Sequence, residues 1–168
     1  VVEQPRAQFK KLKQAGPESN PVPVVPMDAC LTFWGLTVCV IRSAARYLRP
    51  APLKGPAEID GNDLSCLVDR AIRADSRSAN YFMAMRFYYC ARHLAQTVNI
   101  SRCIYPYENL SWEKMLLTGI RGVSPDTATA GYQHSSITVG HTTFLLEEDE
   151  SQVVPLPDEI LTTGGVQS

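Results

Sequence analysis

Apolar residues recur at intervals of three and four within Leu64–Val98, and after about position 100 the rhythm shortens. Residues 1–28 are polar and then proline-rich, and Pro17, Pro21, Pro23 and Pro26 each fix φ and remove a donor, so this lead-in is expected to be extended from Pro21 to Pro26. Asp28 is placed to cap a helix running to about Tyr47, with Arg42, Arg46 and Arg49 suited to its negative end and Pro50 and Pro52 stopping it. An irregular connection over Ala51–Asn62 follows. Asp63 suits the cap of a second helix, whose Leu64, Leu67, Val68, Ala71 and Ile72 repeat as one apolar stripe expected to face the core. A third helix is predicted over Ser78–Val98, with Met83, Phe87, Cys90, Ala91, Leu94 and Val98 along one side. Phe87, Tyr88 and Tyr89 then read as packing. A stacking platform for bases or sugars built from Tyr81, Tyr88 and Arg92 is the rival reading, and His93 on the same helix is taken as structural.

The shorter rhythm predicts strands. Ser101–Tyr105 is brief and apolar, an amphipathic helix fits Ser111–Ile120, and Thr127–Tyr132 is small and β-compatible. Strand, helix and strand in about thirty residues is the size of a βαβ unit, which implies parallel strands. Glu159–Thr163 reads as a further strand ending at Gly164-Gly165. The expected class is α/β: a parallel, Rossmann-like sheet with flanking helices and a helix-rich first half.

Charge and cysteine content narrow the function classes. Sixteen basic against seventeen acidic residues leave a net charge of -1, so no global field draws in nucleic acid, and the run Lys10-Lys11-Leu12-Lys13 reads as a solvated face. The five cysteines Cys30, Cys39, Cys66, Cys90 and Cys103 have neither C-x-x-C nor zinc-type spacing. They read as buried thiols of a reducing compartment; the sequons at Asn99 and Asn109 would matter only in a secreted chain. The longest apolar stretch, Ala29–Ile41, is interrupted by Thr32 and Thr37 and falls short of the ~20 residues that cross a bilayer. The start at Val1, with no signal-peptide pattern behind it, reads as a processed, trimmed or partial chain.

Ligands of open parallel sheets bind beyond the carboxyl ends of the strands, where helix N-termini and unpaired amides converge. Tyr105-Pro106-Tyr107-Glu108-Asn109 follows the first strand there, and Gln133-His134-Ser135-Ser136 follows the second. Glu108 is a candidate general base; alternatively Glu108 and Asn109 cap the next helix, with Glu113 in its first turn favoured by the dipole. His134 is a candidate acid, base or anion contact, and His141, in a threonine-rich loop, is a weaker one. Tyr107, Asn109, Gln133, Ser135 and Ser136 complete the candidate substrate-binding set. The sequence has no Walker loop, G-x-G-x-x-G, H-E-x-x-H or G-x-S-x-G, so the usual triphosphatase, dinucleotide, zincin and serine-hydrolase readings lose their support, and no metal is implied.

Three segments in order, Ile104–Leu116, Gly131–Ser135 and Pro155–Gly164, resemble bacterial surface-carbohydrate biosynthesis proteins related to GT-B glycosyltransferases. The resemblance covers about the last sixty-five residues well and the helical first hundred loosely. It implies two Rossmann-like domains facing a cleft, with acceptor mainly on the first and nucleotide-sugar donor mainly on the second. The chain then divides into a lead-in (1–28), an acceptor-side α/β domain (29–152), and the linker and first strand of a truncated second domain (153–168). The implied function is metal-independent transfer of a sugar from a nucleotide sugar to a carbohydrate acceptor in surface-polysaccharide assembly. It needs no cofactor beyond the donor substrate and would be performed in the cytoplasm or at the inner face of the cell membrane, and the missing second half would leave this chain inactive alone. The alternatives are a non-catalytic carbohydrate- or partner-binding module and a fragment of a sugar-nucleotide epimerase.

Overall fold

The computed structural model describes residues 25–53, 55–133, 144 and 153–162. A short 3-10 turn, Met27–Cys30, leads into helix α1, Phe33–Leu48. The cap is Thr32, whose hydroxyl accepts from the Gly35 N–H at 3.0 Å, and not the expected Asp28, which forms an ion pair with Arg86 on a later helix. Two short antiparallel strands follow, β1 (Glu58–Ile59) and β2 (Asn62–Asp63). They are joined by Asp60-Gly61, both at positive φ (51° and 76°), the conformation that favours Asp-Gly in two-residue hairpins. The expected irregular connection thus contains a hairpin, and Asp-Gly was its sequence signal.

Helix α2 spans Ser65–Ser76, and Asp63 supports its start by accepting from the Ser65 N–H at 2.8 Å. Its apolar stripe does not form core: Leu67 is 61 % exposed, Ala71 is exposed, and Val68 and Ile72 are half-buried. The helix has only slight contact with α1 and its successor, so among the described residues no neighbouring element covers that face. Helix α3, Ala79–Thr97, has nearly the expected bounds; Ser78 caps it by accepting from Asn80 N–H, and Ala84, Met85, Cys90 and Ala91 are buried along it, whereas Met83 of the expected stripe is exposed. Of the five cysteines, all free, Cys30, Cys39 and Cys90 are buried as expected, Cys103 is half-buried and Cys66 is exposed.

The expected βαβ unit is present as β3 (Arg102–Pro106), α4 (Ser111–Arg121) and β4 (Ala128–Gln133), with β3 and β4 parallel and Tyr105 opposite Gly131. Strand β5, Glu159–Thr162, pairs parallel with the other side of β4 and gives the order β3-β4-β5. The boundary expected near residue 152 therefore runs between neighbouring strands of one sheet. Tyr105, Tyr107 and Leu117 form the core between sheet and α4, with Cys103, Trp112, Leu116 and Phe144 packed against it.

Helix α4 packs extensively on α3, and glycine permits the close approach: a Cβ on Gly119 would stand 2.5 Å from the Tyr88 carbonyl oxygen. The opposite sheet face carries Ile104, Tyr132 and Leu161, exposed at 59 %, 41 % and 40 %. No helix of the described residues is long and apolar enough to cross a membrane.

Candidate functional site

The loop Tyr107–Leu110 leaves the carboxyl end of β3 and turns into the first residue of α4. It holds four of the positions that the sequence singles out, if the supporting Glu113 one turn along the helix is included. Tyr107 extends the sheet by donating its N–H to the Tyr132 carbonyl at 2.9 Å. Its ring is buried between Tyr105 and Phe144, with centroid distances of 6.5 and 5.8 Å. Asn109 is also buried and sits at φ 57°, in the left-handed region that Asn tolerates better than most residues. Glu108 is half-buried and occupies the apex between them.

Glu113 organises this loop. Only 2 % exposed in the first turn of α4, it reaches back so that its Oε1 accepts the Glu108 N–H at 2.9 Å. This resembles the return half of a capping box, in which a third-position glutamate satisfies an upstream amide. The N-cap itself is Leu110, which has no side-chain oxygen to offer, so neither Glu108 nor Asn109 is the cap residue. Burial raises the Glu113 carboxyl above its ordinary range and the nearby Glu108 charge adds to the rise, while the backbone N–H groups of Glu108, Leu110 and Asn109 pull it back down.

Glu113 Oε2 and the Tyr105 hydroxyl are both buried without a hydrogen-bond partner among the described residues. The Tyr105 phenol is pushed up first by burial and next by Glu113. An unpaired buried carboxylate oxygen is costly, and in native proteins such an atom is retained where it serves a ligand, a proton or a conformational constraint. Sequence reading ranked Glu113 below Glu108 because a first-turn glutamate is ordinary on a solvated helix. Its burial depends on β3 lying beneath α4.

Gln133, the last residue of β4, is buried at the same edge of the sheet. His134, Ser135, Ser136 and His141 lie outside the described residues, as does any meeting of His134 with Glu108. A cavity of about 270 Å³ opens beside the start of α4, and its lining includes Asp75, Asn80, Tyr81, Ser111 and Lys114. These are side chains able to hydrogen-bond a hydroxylated ligand, with one aromatic face.

A second polar cluster lies toward the other end of the sheet. Asp158, just before β5, accepts from the Thr129 N–H at 2.7 Å and the Thr129 hydroxyl at 2.8 Å, and pairs with Arg121 at 2.8 Å. The bonds from Thr129 and then the Arg121 charge hold its carboxyl below the usual range. The cluster ties β5 to β4 and α4, and its position away from the carboxyl ends of the strands suits a structural role. Comparison with known proteins yields no matching family model, no matching curated protein and no matching solved structure.

Proposed function

We propose that this chain is the acceptor-side α/β unit of a metal-independent glycosyltransferase of the GT-B type, acting in cell-surface polysaccharide assembly. One observation carries the reading. The three separated segments that resemble surface-carbohydrate enzymes supply β3 with the start of α4, the end of β4, and β5, so they converge in one sheet and its carboxyl edge. That edge is where open parallel sheets bind ligands. The cavity that Ser111 lines, three residues along the chain from Glu108, is the pocket assigned to the acceptor in this reading.

Glycosyl transfer requires removal of the acceptor hydroxyl proton as the bond to the sugar forms. Glu108, at the apex of the loop, is assigned that role. Buried Glu113 holds the loop through the Glu108 amide and is a positioning residue. His134, Ser135 and Ser136 are assigned to the acceptor or the donor phosphate, and the nucleotide sugar would approach from a facing domain.

The test is Glu108→Gln in a protein carrying both halves of the cleft. Glutamine preserves size and hydrogen-bond acceptance, so the melting temperature should stay within a few degrees while turnover falls about a hundredfold or more at little changed acceptor affinity. Normal turnover per folded molecule would remove Glu108 from the mechanism. Failure of any oligosaccharide to bind the wild-type chain in titration calorimetry would remove the acceptor-side reading itself.

A further inference from the structure

Helix α1 is turned inside out. Along the side facing the rest of the fold it carries Gly35 and Cys39, both buried, and half-buried Ser43. Outward it presents Phe33, Trp34, Val40, Ile41 and Leu48, exposed at 85 %, 71 %, 53 %, 60 % and 76 %. At helical spacing these side chains form one continuous apolar face along sixteen residues, a rod about 24 Å long. Scattered exposed apolar residues are ordinary, but a contiguous face of this size marks an interaction surface.

The polar side of the same helix supplies an independent second feature. Arg42, Arg46 and Arg49, with Ala45 and Tyr81, line an open groove of about 400 Å³. The sequence contains no Asp or Glu from Ala29 to Ala57, and the nearest acid, Asp28, is paired with Arg86. Arg77, over the Tyr47 ring at 6.0 Å, adds another cation nearby. A helix with Trp and Phe on one face and arginines on the other has the composition of helices that lie in a bilayer interface.

We propose that α1 is an interfacial helix, laying its outward apolar face into the surface of an anionic lipid bilayer while Arg42, Arg46 and Arg49 engage lipid phosphates. Charge complementarity selects this occupant over a second copy of the chain. A bilayer surface offers an apolar layer and a dense row of anions together. A second α1 offers an apolar face and three more arginines, with no carboxylate for either groove. The helix lies on the membrane rather than crossing it, being shorter than the ~20 residues a span requires. Arginine side chains reach the headgroups by running their methylenes along the apolar surface. The proposal stands apart from the carbohydrate reading, because it involves neither Glu108 nor the sheet edge.

The experiment is co-sedimentation of the whole chain with vesicles of phosphatidylglycerol and phosphatidylcholine, against pure phosphatidylcholine, with tryptophan emission recorded in parallel. The chain should bind the anionic vesicles, release with salt and show a blue shift that Trp34→Phe removes. The double variant Trp34→Ser/Ile41→Ser should lower partitioning roughly tenfold or more. Replacing Arg42, Arg46 and Arg49 by Gln should lower it about fivefold per charge. All substituted side chains are at the surface or line an open groove, so circular dichroism should be unchanged. Absence of binding to anionic vesicles overturns the proposal, as does equal binding to neutral ones. A lipid-free dimer that Trp34→Ser/Ile41→Ser converts to monomer overturns it too, in favour of a second copy as the occupant.

Discussion

Helices α1 and α4 are both amphipathic, and they aim their apolar faces in opposite directions. In α4, Leu117 and Ile120 are 0 % and 2 % exposed, against the sheet and α3; in α1, Ile41 and Leu48 point to solvent. The difference lies in what each helix is tied to. A short loop joins α4 to β3, and a strand paired parallel to β3 follows it, so the helix must lie back across the sheet. α1 is followed by a longer connection, residues 49–57, and meets mainly α3, through small side chains that need little room. Periodicity establishes that a helix has an apolar face. Which way the face points is settled by the connections and by the neighbours they bring.

Matched truncations on the two helices sharpen this contrast most. Leu117→Ala should cost about 2–5 kcal/mol, because the site is sealed and its surroundings collapse only partly. Ile41→Ala removes a comparable volume and should cost about 0.5 kcal/mol or less. Urea unfolding of both variants checks the pair, and equal losses would mean that α1's outer face is covered in solution.

Close packing of α3 on α4 is tested next by Gly119→Ala. Alanine gains about 1 kcal/mol of helix propensity, but its Cβ would stand 2.5 Å from a backbone oxygen that cannot rotate aside. With overpacking costs of about 1–3 kcal/mol, a net loss of up to about 2 kcal/mol is expected in the same measurement. A variant more stable than the parent by the full propensity gain would show that the two helices separate freely.

The smallest effect concerns the buried Glu113 carboxylate. Its folded pKa is raised, so between its unfolded value, about 4.3, and the higher folded value the native state binds more protons than the unfolded chain. Stability contributed by this group is therefore present at low pH and lost as pH rises through that window. Glu113→Gln keeps an oxygen for the Glu108 amide and should flatten that slope, leaving neutral-pH stability equal or slightly higher. A slope unchanged in thermal melts between pH 4 and 7 would locate it elsewhere.

Much of the βαβ region was legible in advance. Ser101–Tyr105, Ser111–Ile120 and Thr127–Tyr132 were expected and Arg102–Pro106, Ser111–Arg121 and Ala128–Gln133 are observed, as short-range patterning and turn residues determine such elements. Helix α3 was placed within one residue at each end for the same reason, with Ser78 proving to be its cap and not its first residue. The Glu108 loop was placed correctly at the end of β3, but the importance of Glu113 was not visible, since its burial is a property of the surface beneath it. Asp158 was missed because Thr129 and Arg121, its partners, lie far from it in sequence.

By itself, then, the sequence determined the class of each long element and the parallel α/β character of its last third. Local hydrogen bonding, capping and side-chain period are written within a few residues of where they act. Tertiary structure alone decided which faces are buried. It turned α1 outward, left the stripe of α2 uncovered among the described residues, joined Glu159–Thr162 to the same sheet as β3 and β4, and enclosed the Glu113 carboxylate. Those outcomes follow from which distant surfaces meet, and apolar burial, being non-directional, specifies that a face be covered without specifying by what.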